Sequence, residues 1–130
     1  MQAWTKNKDN RFDIDLKVGE MYEDSLAQIL KLGKVEVKTE IDKWRDTGNI
    51  AIEIRCYGKK SGLSVTQAEH WAHILSYKGN IKSVLMFPVG ELKSIVKRLF
   101  FTGDARLVMG GDNDESEMVL LPLKKIMEVV

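Results

Sequence analysis

Lys34-Val-Glu-Val-Lys-Thr-Glu40 alternates without a break: Val35, Val37 and Thr39 fall on one side, Glu36, Lys38 and Glu40 on the other. That two-residue period is the signature of a strand with one polar face. A second run, Ile50-Ala-Ile-Glu-Ile-Arg-Cys56, is rich in isoleucine and reads as another strand. Between them Asp46-Thr-Gly-Asn49 has turn chemistry, preceded by a loop carrying Trp44. The spacing therefore predicts that the two strands pair as a hairpin.

Working outward, Tyr22, Leu26, Ile29 and Leu30 form one stripe of a helix that stops at Gly33. Before it, Arg11-Phe-Asp-Ile-Asp-Leu-Lys17 alternates and predicts a strand ending at Gly19. After the Ile50–Cys56 strand, Gly58 to Gly62 is a basic, glycine-bounded loop. Ser64 with Gln67, or Thr66 with Glu69, offers a capping pair for a helix carrying Ala68, Trp71, Ala72 and Leu75. Ser83 to Val89 reads as a buried strand closed by Pro88, and Glu91 to Phe100 as a helix with Leu92, Ile95, Val96 and Leu99 inward. Arg106–Met109 and Glu117–Leu121 flank a glycine- and acid-rich loop as a hairpin, and Leu123 to Val130 predicts a short closing helix. This order predicts a single α/β domain with a central mixed, partly antiparallel sheet flanked by helices.

The 130 residues are enough for one domain with a substantial core. Hydrophobic residues at 44% and charged residues at 30% give a soluble, globular balance, and no apolar run is long enough for a membrane span. Met1 to Arg11 is polar and lacks the apolar centre of a signal peptide, so a cytoplasmic location is the expectation. One cysteine and two histidines exclude an internal disulfide and a zinc cluster; Cys56 reads as a small half-buried strand residue. His70 and His73, three apart, read as partly exposed residues of the predicted helix, and Trp71 as core or dimer packing. The net charge of +1 does not by itself announce a nucleic-acid binder. The charges are uneven, however: Arg55, Lys59 and Lys60 cluster near the middle, while Asp112, Asp114, Glu115 and Glu117 crowd a late loop.

The chemistry concentrates on the polar face of the Lys34–Glu40 strand. Glu36 and Lys38 project from one face, and the predicted partner strand adds Glu53 between isoleucines, where a carboxylate is costly unless paired or bound to a cation. Glu23 sits beside the apolar stripe of the first helix. Carboxylates converging near one lysine match the needs of phosphodiester hydrolysis: hard oxygen ligands for Mg²⁺, and a cation to position water and offset phosphate charge. Asp13-x-Asp15 reads more simply as solvent-facing acids, and Gly110-Gly-Asp-Asn113 as a hairpin turn. The loop of Lys59, Lys60 and Ser61, leading to a helix start near Thr66, is the best phosphate-binding feature.

Gly19-Glu-Met-Tyr-Glu23 with Leu26 and Leu30, followed by Val35-Glu-Val-Lys-Thr39, resembles the first helix and the Glu-x-Lys strand of PD-(D/E)XK nucleases, particularly small Holliday-junction resolvases. Thr47-Gly-Asn, Glu53, Gly58-Lys-Lys-Ser-Gly62 and Thr66 with Trp71 are similar to small phage endonucleases of that superfamily. The resemblance spans roughly Phe12 to Leu75. It implies a restriction-endonuclease-like fold, a Mg²⁺-dependent deoxyribonuclease (Mn²⁺ substituting), and a homodimer acting on branched DNA. It further implies metal ligation by Glu23, Glu36 and Glu53, a catalytic Lys38, and DNA contacts from Arg55, Lys59, Lys60, Ser61 and Thr66. The superfamily's Asp strand is missing: Leu30 and Glu36 are too close in sequence for further strands of ordinary length. In one resolution Glu36 takes the Asp place and Glu53 the Glu place, with Arg55 where the family lysine stands and facing the same side as Glu53. In the other, Glu36 and Lys38 are the usual pair and Asp13 or Asp15 supplies the acid. The first is favoured because the Glu53 strand leads directly into the following predicted helix. A non-catalytic nucleic-acid-binding or interaction protein on the same scaffold is the rival expectation.

Overall fold

The computed structural model describes residues 10–130, with side chains from Leu16 onward. The polar opening stretch before Asn10, and the side chains of Asp13 and Asp15, lie outside the described residues. Contacts divide the chain into two units, one ending at Gly33 and one spanning Lys34–Val130.

The first unit is a helix, α1 (Asn10–Leu32), ending where the Gly33 N–H donates to the Ile29 carbonyl at 2.8 Å. The strand expected over Arg11–Lys17 is thus the opening of this helix. Its short alternation competes with a longer 3.6-residue pattern, and each residue added to an existing helix brings a hydrogen bond without a new nucleus. Gly19 costs about 1 kcal/mol inside a helix, too little to end one.

The second unit runs β1 (Val35–Ile41), α2 (Lys43–Thr47), β2 (Asn49–Cys56), β3 (Lys59–Lys60), a 3₁₀ turn at Gly62–Ser64, β4 (His70–Tyr77), β5 (Asn80–Pro88), α3 (Val89–Phe101), β6 (Arg106–Gly110), β7 (Ser116–Pro122) and α4 (Leu123–Val129). The class is α/β, as expected. The strands divide between two sheets instead of forming one: a mixed sheet ordered β1-β4-β5 and an antiparallel sheet ordered β3-β2-β7-β6.

The expected hairpin of β1 with β2 does not form. β1 pairs in parallel with β4, and β2 pairs antiparallel with β7 and β3. The redirection occurs at α2. Asp42 adopts a positive φ of 60°, and both its N–H and the Trp44 indole N–H donate to the Ser76 carbonyl, at 3.0 and 2.6 Å. Gly48, left-handed at φ 73°, then ends α2 and releases the chain into the second sheet.

The helix expected over Ala68–Leu75 is the strand β4. It is the middle strand of its sheet, with Trp71, Ala72, His73 and Leu75 all buried. A strand covered on both faces carries a near-continuous apolar run, which periodicity alone does not separate from a buried helix. The remaining elements, β5, α3, the β6–β7 hairpin and α4, match the sequence reading in position within a few residues, but β5, expected to be buried, is an edge strand largely exposed, with Phe87 its buried residue. The core joins Ile50 and Ile52 of β2 and Val119 and Leu121 of β7 to Trp71, Leu75 and Phe87, with Leu92, Ile95 and Leu99 of α3 and Ile126 of α4.

One glycine fixes the backbone under a candidate site residue. Gly62 has φ +53°, and a Cβ there would run into the Glu53 carbonyl oxygen. Gly62→Ala is expected to lower stability by roughly 2–4 kcal/mol, combining left-handed strain with overpacking. Urea unfolding measures it, and a loss below about 0.5 kcal/mol, within the range of ordinary surface changes, would contradict the close approach.

Candidate active site

A cleft of about 530 Å³ in the second unit is lined by residues of both sheets. Alternation places Glu36, Lys38 and Glu40 on the same face of β1, and the parallel register sets them beside Trp71, His73 and Leu75 of β4. From the second sheet come Asn49, Ala51 and Glu53 of β2, Met118 and Leu120 of β7, and Arg106 of β6. The α2 residues Lys43, Trp44 and Thr47 complete the wall. Lys38 and Glu53, assigned to catalysis from sequence, thus meet in one cleft although their strands are not paired. Glu36 shares Lys38's face but does not line the cleft. Glu23 belongs to α1, in the other unit.

Two carboxylates enter this space. Glu40 Oε1 accepts the Ala51 N–H at 2.6 Å and meets His73 Nε2 at 2.9 Å. The Trp71 indole N–H donates to His73 Nδ1 at 3.1 Å, so the network assigns the imidazole proton to Nε2, which donates to Glu40. His73 is 2% exposed, and its ring lies nearly parallel to that of Trp71, 10° between planes. Glu53 is half-buried and accepts the Ser116 hydroxyl at 2.8 Å through Oε1. Among the described residues, Oε2 of each glutamate has no protein hydrogen-bond partner. The lining therefore combines three cations, Lys38, Lys43 and Arg106, with two acids, each with an oxygen to spare. Among the described residues, no three histidine, cysteine, aspartate or glutamate side chains converge as a ready-made metal cage.

The expected DNA-contacting residues sit elsewhere. A bulge between Glu53 and Arg55 shifts the register, so Glu53 lies opposite Met118 and Arg55 opposite Glu117. Arg55 therefore faces away from Glu53, not along it, and pairs with the Glu117 carboxylate at 3.3 Å. Lys59 and Lys60 are exposed on β3, beyond a tight turn at Tyr57-Gly58 in which both φ angles are positive. Ser61 Oγ is buried with no hydrogen-bond partner among the described residues. Thr66 caps no helix, because none follows; its hydroxyl accepts the Ala68 N–H at 3.2 Å. The expected phosphate site at a helix start is thereby removed.

Sequence reasoning missed the Trp71–His73–Glu40 chain. Glu40 was visible on the polar face of β1, but His73 was read at helical spacing from His70. On a strand the two histidines point to opposite faces, while Trp71 and His73, two apart, share one. Cys56, as expected, is a partly buried strand residue, with the Ser116 hydroxyl 3.9 Å from its sulfur. No described helix is long and apolar enough to cross a membrane. Comparison with protein-family models, with curated proteins and with solved structures gave no match.

Proposed function

We propose that the chain is a metal-dependent DNA endonuclease whose reaction takes place in the cleft between the two sheets. The observation that carries this reading is the meeting of Lys38 with the Glu40 and Glu53 carboxylates in one cleft with basic lining. The restriction-endonuclease-like fold, the branched-DNA preference, the homodimer and the cytoplasmic location rest on the sequence resemblance and composition, and belong to the same proposal.

The donor set suits Mg²⁺. That ion is commonly held by one or two carboxylates, keeping water and substrate phosphate as its other ligands, so a cage of three protein groups is not required. Glu53 and Glu40 would hold it through their spare oxygens. Bound there, the ion would supply Lewis acidity toward the phosphate and lower the pKa of attacking water. Lys38 orients that water and offsets charge developing on the phosphate oxygens. Lys43 and Arg106 hold the flanking phosphates. Ser116 keeps the Glu53 carboxylate turned to the cleft, and His73 with the Ala51 N–H fixes Glu40.

A second reading, a non-catalytic nucleic-acid-binding protein, is favoured by one observation: the hydrogen bonds of Glu40 tie β1 to both β4 and β2, a structural use of a cleft carboxylate. The two readings part on a panel of junction, flap, single-stranded and duplex DNA incubated with Mg²⁺ or Mn²⁺ and with EDTA. Cleavage of at least one form, abolished by EDTA, is the expected result. No cleavage of any form with either metal would reject the enzyme.

A further inference from the structure

On the other side of α2 from the cleft lies a second concavity of about 230 Å³, lined by Arg45, Tyr77, Lys78, Asn80 and Lys82. It contains three cations and no carboxylate. The Arg45 guanidinium stands 4.4 Å from the centre of the Tyr77 ring, and Lys78 Nζ 5.3 Å from it. One aromatic ring thus holds both cations in place by attraction to its π face. Among the described residues none of the three forms a salt bridge.

The backbone beneath is fixed. Lys78 and Gly79, with φ of 48° and 79°, form the two-residue turn between β4 and β5, and the Tyr77–Asn80 pair closes it. Asp42, the carboxylate at the start of α2, is engaged by this turn, its Oδ1 accepting the Lys78 N–H at 2.9 Å. With the two bonds to the Ser76 carbonyl, α2 is fastened to the β4–β5 hairpin at three points. The positions of Arg45 and Lys78 are therefore set before any ligand arrives.

From this we infer that Arg45, Lys78 and Lys82 form a phosphate-backbone clamp, gripping the same nucleic acid that enters the cleft. The inference deepens the nuclease reading and rests on it for the ligand's identity. Lys43, Trp44 and Thr47 of α2 face the cleft while Arg45 faces the clamp, so one short helix separates the two. A helix is roughly 10 Å across, about three steps of one strand at ~3.4 Å each. One strand of a duplex lying over α2 thus reaches both sites. An isolated anion would need only one of them.

The test uses the full chain in EDTA, so that binding is read without cleavage. Fluorescence anisotropy of a labelled 20-mer duplex is followed across a salt titration for wild type and for Arg45→Ala/Lys78→Ala/Lys82→Ala. Each lost phosphate contact lowers the slope of log K against log salt by about 0.9. The expected result is a slope smaller in magnitude by about 2 or more and affinity at least tenfold weaker. Lys82→Ala alone, which touches no hydrogen bond of the turn, is expected to show about one contact's worth of that change and guards against misfolding of the triple variant. Wild-type slope and affinity in both variants would overturn the clamp. So would an equal loss of binding to polyglutamate, because the patch would then read charge and not phosphodiesters. Metal-dependent cleavage by wild type is scored separately, so failure of the clamp and failure of the nuclease reading give different results.

Discussion

Glu40→Ala is expected to lower the unfolding free energy by about 3 kcal/mol, a large loss for a residue carrying a charge. The substitution strands two donors at once, the part-buried Ala51 N–H and the Nε2–H of buried His73; an unsatisfied buried donor costs roughly 1–3 kcal/mol, and the part-buried one costs less. The histidine has no second choice, because its Nδ1 already accepts from Trp71. Glu40→Gln keeps an acceptor oxygen and is expected to recover most of the stability while losing the charge. Urea denaturation of the two variants measures the difference. Once His73 is replaced by leucine, Glu40→Ala should cost less than in wild type, since one of its two donors is already gone. Equal cost in both backgrounds would mean that Glu40 and His73 do not act as a pair.

The second large effect concerns the reaction. If the cleft hydrolyses DNA, Lys38→Ala is expected to reduce kcat by about 100- to 1000-fold, the range for loss of one charge-stabilising group, with KM changing little. Lys38 is exposed and makes no hydrogen bond among the described residues, so its melting temperature should remain close to wild type. Glu53→Gln retains the acceptor for the Ser116 hydroxyl and should fold normally, yet require a higher Mg²⁺ concentration for half-maximal cleavage. Single-turnover cleavage across a Mg²⁺ titration separates the two roles. A Lys38→Ala protein that cleaves at the wild-type rate would remove lysine from the mechanism, and a Glu53→Gln protein with unchanged Mg²⁺ dependence would remove Glu53 from the metal.

Much of the secondary structure was legible because alternation and helical stripes are local. β1, β2 and α3 each announce themselves within a dozen residues. The identity of each strand's partner was not legible. β2 has a polar-edged neighbour just upstream in β1, yet its ladder is completed by Ser116–Pro122, sixty or more residues downstream. The turn at Asp42 and the anchoring of Trp44 on Ser76 make that choice, and both involve contacts far apart in the chain. His73 was hidden for a related reason: its partner Glu40 lies thirty-three positions away. Lys38 and Glu53 stood out in the sequence because their residue types carry chemistry wherever the strands happen to pair, and both line the same cleft. The facing of Arg55 was not legible, because a single extra residue at the bulge reverses the face of the side chain after it.

The long-range ladder between β2 and β7 also constrains the order in which the protein can assemble. The β4–β5 and β6–β7 hairpins close between neighbouring segments and can form early, whereas pairing Glu53 with Met118 must close a loop half the length of the chain. During synthesis Lys38 leaves the ribosome long before Ser116, the residue that holds the Glu53 carboxylate in place. A growing chain therefore carries the lysine and both cleft glutamates without the strand that brings them together. The completed cleft, and any chemistry it performs, arrives only with the last strand.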